Sequence, residues 1–442
     1  MLFAHAQLLR SSPAANSEVT SPSEIQLWYS EEPDLHFASV QLRKGTQSIE
    51  LGPIRAVSPN GLRIPIVGPM PPGGYSIAWH VAASDGHATN GTIHFRVKPD
   101  SAGAAPPGGG SPPTPAAGAS GTSPRRDTAA SRRPATNVFV APGRPVAAST
   151  AMRWAEFVAL LAVIGAIVFR LVVVPAAKWP DELTADAVDR GRRLAVAFAL
   201  LFLIATITRA MAESTLLADP TASGLSEIRI LVTSTRWGIA WSIGGVGALL
   251  AFIGLLVARA GLTGWLIATL GIIAVTVSEA LTGHSGASAH LSLAMAADVA
   301  HQLGAGGWIG GLAFVAFAGL PATRRLPDPD ARYAGSRLVR AYHASALECV
   351  VLVVISGVIA AALRLRAVSD LWTTPYGSML FRKLVFVVVV LAFGFFHWRR
   401  VVIHDWDTDT RFRFMRSAAF ELVFAAVVVA FTALLVSTQL PL

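Results

Sequence analysis

Long stretches without a single charge, such as residues 157–167 and 384–396, restrict this chain more than any other feature, and arginines cluster between them. A helix can satisfy its own backbone in hydrocarbon, so such a run is read as a bilayer crossing. From residue 152 onward about eight of these runs recur, at roughly 152–174, 194–211, 237–257, 262–281, 298–320, 342–363, 380–398 and 418–436. Each is close to the ~20 residues that span the hydrocarbon core. The balance of the chain agrees: 53% of residues are hydrophobic, only 14% are charged, and the mean hydropathy is +0.52. Glycines recur within the spans, at 244, 245 and 247 and again between 304 and 311, and they allow close approach of helices.

The basic residues orient the bundle. One set of loops holds Lys178, Arg190, Arg192 and Arg193, then Arg259, then Arg324, Arg325, Arg332, Arg337 and Arg340, then Arg399, Arg400, Arg411, Arg413 and Arg416. The alternate set is poorer, with Arg229, Arg236, Arg364, Arg366, Arg382 and Lys383. The positive-inside rule places the first set in the cytoplasm and everything before residue 150 outside. The net charge of +9 follows from this topology, so no nucleic-acid partner is inferred from it; the bilayer is the expected partner. The single cysteine, Cys349, excludes an internal disulfide and any Cys-based zinc or iron–sulfur site; it reads as a small buried apolar residue.

Residues 5–98 have a different period. Segments 25–29, 38–42, 62–64, 75–79 and 93–97 alternate apolar and polar residues, with Pro71-Pro72-Gly73-Gly74 as a turn between two of them. Short strands at this spacing predict a small all-β sandwich. Residues 99–150 are mainly Pro, Gly, Ala and Ser, a composition that cannot bury a core and is read as a disordered linker. Residues 151–442 form the all-α polytopic membrane domain.

Metal chemistry is concentrated at two ends of the β domain's sequence. In Ser84-Asp85-Gly86-His87, Asp85 and His87 stand two residues apart at the mouth of a strand and can point to one side. His5 follows the small residue Ala4, a position at which signal-peptide cleavage would make it N-terminal. Only four residues precede it, too few for an apolar signal region of ~7–15 residues, so either the chain starts further upstream or it is not cleaved, and export of the β domain favours the first. An N-terminal His offers an amine and an imidazole. With Asp85 and His87 that gives three nitrogens and one oxygen, which suits tetragonal Cu(II). Against this stand the bland readings that Asp-Gly is a common turn pair and Glu31-Glu32-Pro33 a solvated one. His36, His80 and His94 are read as structural.

With these motifs the chain resembles a fusion of two bacterial copper-resistance families, CopC followed by CopD. His5-Ala6, Ser11-Ser12-Pro13, Ser30-Glu31, Gly73-Gly74-Tyr75 and Ser84-Asp85-Gly86-His87 carry the first resemblance. It implies a Greek-key sandwich of immunoglobulin or cupredoxin-like kind, with His5, Glu31, Asp85 and His87 around a periplasmic Cu(II) ion. Some members hold a Met-rich Cu(I) site as well; here only Met70 is available beyond Met1, so Cu(II) alone is expected in this domain. Gly283-His284, Asp298-x-x-His301, Trp308-Ile309-Gly310-Gly311-Leu312, Thr374-Pro375-Tyr376-Gly377 with Leu380 and Lys383, and Glu421 carry the second. It implies copper passage across the inner membrane.

In the membrane domain His284, His290, His301 and Asp298 are the candidate copper entry, with Met211, Met295 and Met379 near the same mouth as thioether donors for Cu(I). Their bland alternative is packing, with the methionines facing lipid. Glu279, Arg209, Glu213 and Glu421 are candidates for structural ion pairs. The expected function is copper capture outside the plasma membrane, from periplasmic or extracellular copper donors, and its import. Alternatives are a haem-binding redox protein using His343 and His397, and a copper sensor or buffer without transport. The chain holds no Walker-type phosphate loop and no nucleophile–base arrangement, so neither ATP drive nor an enzyme is expected.

Overall fold

The computed structural model describes residues 6–45, 47–83, 88–99, 147–217, 232–233, 236–282, 291–403 and 408–436. The first hundred residues form two facing sheets. One contains β1 (Leu8–Ser12), β3 (Glu24–Tyr29), β7 (Gly61–Pro65) and β6 (Arg55–Val57), in the order β1-β3-β7-β6. The other contains β2 (Glu18–Val19), β9 (Ala88–Val97), β8 (Gly73–Ala83), β4 (Pro33–Lys44) and β5 (Gln47–Ile49), in the order β2-β9-β8-β4-β5. Only β2 and β9 run parallel; the other pairs are antiparallel.

Alternation builds the core. Ile25, Leu27 and Tyr29 from one sheet meet Tyr75, Ile77, Trp79, Val81, Ile93, Phe95 and Val97 from the other, all buried. Tyr29 and Trp79 meet edge to face, with ring centroids 5.5 Å apart. Opposite Trp79 in the hairpin lies Gly91, where a Cβ would run into the indole ring. The hairpin of β8 and β9 is continuous from Gly73↔Val97 to Ala82↔Ala88, so the two strands enter and leave the Ser84–His87 segment side by side. The five segments read as strands all fall within strands, and β4, β8 and β9 extend well beyond them.

Among the described residues, eight helices are long and apolar enough to cross a membrane. They are α1 (Ala147–Val168), α2 (Asp181–Leu217), α3 (Arg236–Val257), α4 (Leu262–Thr282), α5 (Leu291–Ala305), α6 (Asp328–Arg364), α7 (Pro375–Ile403) and α8 (Thr408–Val436). All eight expected spans are present. Two are prolonged by wider turns: α1 runs through a π turn at Phe169–Val173, and α5 continues through π turns at Gly306–Gly310 and Val315–Gly319. These two are the most deeply embedded spans.

Glycine lets α1 and the α5 continuation touch. A Cβ at Gly165 would collide with the Gly310 backbone, one at Gly310 with the Leu161 carbonyl, and one at Gly306 with Ile164. The same device joins α3 and α4 through Gly247 and Gly271, and Gly254 and Gly264. One expectation shifts in depth. The fifth crossing begins at Leu291 rather than 298, so Asp298 lies seven residues inside it, roughly 10 Å below its start.

Candidate metal centre

Three segments converge at one end of the sandwich. Ser30, closing β3, donates its N–H to the Gln7 carbonyl at 2.8 Å, and the Gln7 N–H donates to Ser30 Oγ at 2.9 Å. Thr89, near the start of β9, donates its hydroxyl to the Ala6 carbonyl at 2.8 Å in a buried bond. Asn60 donates its side-chain amide to the Ser30 carbonyl at 3.3 Å. Ala6 is fully buried beneath these contacts. The residues just before β1 are thus tied both to the residue before Glu31 and to the second residue after His87.

Of the expected Cu(II) ligands, Glu31 is described, and it is 7% exposed. His5, Asp85 and His87 lie outside the described residues, but their neighbours are fixed. Asp85 and His87 belong to the four residues joining Ala83 to Ala88, the end of the paired hairpin. The fold brings Glu31 and the chain flanking the other three to the same edge.

His80 and His94 sit on the outward face of β8 and β9. His94 is exposed, whereas His80 is half-buried beside Asn90 and its Nε2 has no hydrogen-bond partner. Burial pulls the His80 imidazole below its ordinary pKa of 6.5. The side chain of His36 lies outside the described residues.

In the membrane domain both residues of the Asp298-x-x-His301 motif reach from α5 across to α6. Asp298 accepts two hydrogen bonds from Arg364, at 2.8 and 2.9 Å. His301 Nδ1 lies 3.1 Å from the Val353 carbonyl and 3.2 Å from Ser356 Oγ, and its ring rests against Gly357. A carbonyl only accepts, so Nδ1 carries a proton, and in the neutral ring Nε2 holds the lone pair. Such an outer bond fixes a ring for metal coordination through its other nitrogen. Sharing a helix face does not pair the two residues; each has a closer partner on the neighbouring helix. Arg364, read as a loop cation, is instead Asp298's partner.

His284 and His290 lie outside the described residues, as does Glu213. Met295 and Met379 are half-buried, the latter against Tyr376 and Leu380, while Met211 is 56% exposed on the bundle surface. His343 is half-buried on α6; the side chain of His397, its proposed counterpart for haem, lies outside the described residues. Among the described residues no three His, Cys, Asp or Glu side chains converge as a metal cluster. Each expected ligand set includes residues beyond those described.

A second polar group joins three of the helices. Arg209 of α2 approaches Glu156 of α1 at 3.2 Å and Glu279 of α4 at 3.8 Å. Arg209 and Glu279 are both among the ion-pair candidates of the sequence, which does not say which of them pair; Glu156 is not among them. An acid six residues into the first crossing was the available signal. Glu421, also expected to pair, is buried on α8 near Gly394 of α7.

Three family matches cover most of the chain: the CopC domain over residues 8–98, the Copper resistance protein D-like N-terminal domain over 145–291, and Copper resistance protein D over 336–435. The Copper transport protein CutJ of Bacillus subtilis is 24% identical over 412 residues, 89% of this chain and 68% of that one. Protein YobA of Escherichia coli K12 is 34% identical over 101 residues, 22% of this chain and 82% of that protein. Copper resistance protein C of Pseudomonas syringae pv. tomato is 31% identical over 103 residues, again 82% of its length. Among solved structures, the methionine-rich copper resistance protein PcoC of Escherichia coli matches at 30% identity and a TM-score of 0.20, covering 21% of this chain and 99% of that one.

Proposed function

The chain belongs to the CopC–CopD copper-resistance and copper-transport family, and from that premise we propose that its sandwich captures Cu(II) outside the cytoplasmic membrane and its eight-helix domain carries copper inward. It is a multi-pass membrane protein of a copper-handling family, not of an enzyme family. The single observation that supports capture is the knot of Ala6, Ser30 and Thr89, which draws the flanks of His5, Glu31, Asp85 and His87 together. Those four are the ligands we assign. The functional units are then residues 5–98 for capture, 99–150 as tether and 151–442 for passage. A tether keeps the loaded sandwich at high effective concentration near the membrane domain.

Passage starts, in this reading, at His284, His290 and His301. His301 contributes Nε2, since Nδ1 is held by Val353. Asp298 takes a different part from the one its spacing implied: it clamps Arg364, fixing α5 against α6 beside His301. Imidazole and thioether donors at this mouth accept Cu(I), so Cu(II) released by the sandwich first takes one electron from a reductant outside the membrane.

The test separates capture from passage. A domain made to begin at His5 should bind one Cu(II) tightly, and the same domain retaining residues 1–4 much more weakly, because the amine ligand is lost. Competition against a chelator measures both. In the full chain, His301→Ala should lower cell-associated copper at matched membrane levels while leaving the sandwich's affinity unchanged, as expected for separately folded units. Equal affinity of the two domain forms removes the terminal-His site; unchanged accumulation in His301→Ala removes the entry path.

A further inference from the structure

Glu156 is fully buried in α1, and neither of its carboxyl oxygens receives a hydrogen bond. The charged groups acting on it are Arg209 from α2, Glu279 from α4 and Arg153 one turn earlier on its own helix. Arg209 is 4% exposed and stands between the two acids, 3.2 Å from one and 3.8 Å from the other. Thr206, one turn before Arg209 on α2, is also buried, and its hydroxyl acts on the Glu156 carboxyl without reaching full hydrogen-bond geometry.

All these groups lie at the same side of the bundle. α1 starts there, while α2 and α4 end there, with Glu279 three residues before the end of its crossing and Arg209 two residues before the end of its own. Glu156 is six residues into the first crossing, roughly 9 Å along the helix. His284 follows Glu279 by five residues, so the cluster adjoins the mouth assigned to copper.

An ion pair kept only for packing is expected to saturate its carboxylate with donors, because an unsatisfied charge in this setting is costly. Glu156 is not saturated. Ionised, it has a guanidinium at ion-pair distance and only the Thr206 hydroxyl beside it; protonated, it needs only one acceptor. The Thr206 hydroxyl can donate to the first form and accept from the second. That is the arrangement for a group that changes its protonation in place.

We propose that Glu156 is a proton-binding site that couples proton movement to copper passage through the membrane domain. The inference rests on the transport reading for its cargo, but not for its chemistry. As copper's positive charge arrives beside Glu279 and Arg209, the O–H bond of the Glu156 carboxyl breaks and the proton passes to bulk water. The bond re-forms, once the ion has moved on, with a proton taken from the opposite side, so that one proton crosses for each ion. For Cu(I) one positive charge replaces another, and no electron is transferred in this step.

The whole protein in lipid vesicles provides the test. Infrared difference spectra should show the C=O stretch of a protonated carboxyl that vanishes in Glu156→Gln, shifts in Glu156→Asp and Glu279→Gln, and is lost on adding copper to the wild type. Copper uptake should respond to a pH gradient, by up to about ten-fold in accumulation per unit for one proton per ion. Glu156→Gln should lose that response. A band that survives Glu156→Gln, or ignores copper, overturns the proposal, and Glu156→Asp guards against loss of fold in the amide variant. Vesicles that show the copper-sensitive band but accumulate no copper leave the proton site standing and remove the transport reading instead.

Discussion

Two single side chains in the sandwich lead to opposite kinds of measurement. Thr89 anchors the Ala6 carbonyl through one buried hydrogen bond. Thr89→Val removes the donor, costs about 1 kcal/mol, and so should loosen the approach of His5 and weaken Cu(II) binding by about five-fold with the sheets unchanged. Chelator competition reads the loss. His80 concerns stability instead. Its imidazole is held neutral by burial, below the ordinary 6.5. Above that pH both folded and unfolded chains are neutral there and nothing changes. As pH falls below it the unfolded chain takes the proton first, so stability declines toward the folded value. Melting of the sandwich between pH 7 and 5 should show this decline, and His80→Gln should flatten it. Glu24 acts only at lower pH, because the hydrogen bond from Arg63 holds its carboxyl below the ordinary range. The sequence made Asp85 and His87 conspicuous through their spacing. It could not reveal Thr89 or Ala6, whose importance comes from a contact between residues 83 positions apart.

At the level of elements, periodicity gave the strong strands and all eight crossings, because apolar runs and alternation are written locally. β1, β2, β5 and β6 escaped it. They are short or lie mainly at sheet edges with exposed residues, as in Arg55–Val57, so little hydrophobic pattern marks them. The partners of Asp298 and His301 escaped for another reason. An i, i+3 spacing says which face two residues share, while Arg364 and Val353 come from a helix some fifty to seventy residues away. Glycine spacing was more telling. Gly306 and Gly310 do admit α1, as small residues in a span imply. Gly310→Ala should therefore be costly where an alanine in a helix is ordinarily benign, because its Cβ meets the Leu161 carbonyl. Overpacking of about 1–3 kcal/mol should appear as a lower melting temperature in detergent.

For the whole molecule, the arginine asymmetry predicts that the sandwich and the proposed mouth at Asp298 and His301 face the same compartment. A reporter inserted near Gly109 should be active outside and one near Pro329 inside; the reverse pattern would put the histidine mouth in the cytoplasm. The two π turns in the fifth crossing have a further consequence, for how this molecule tolerates change in length. Each holds one residue more than an ordinary turn, and in a helix one residue is worth about 100° of rotation. Deleting a single residue within Gly306–Gly310 would hardly shorten the rod, yet it would turn everything on one side of the cut relative to the other. Asp298 and His301 would then address a different neighbour from α6 while the glycines still faced α1, or the glycines would turn away and the histidine stay. Along the rest of the bundle a lost residue changes where a helix ends; here it changes which way the helix looks.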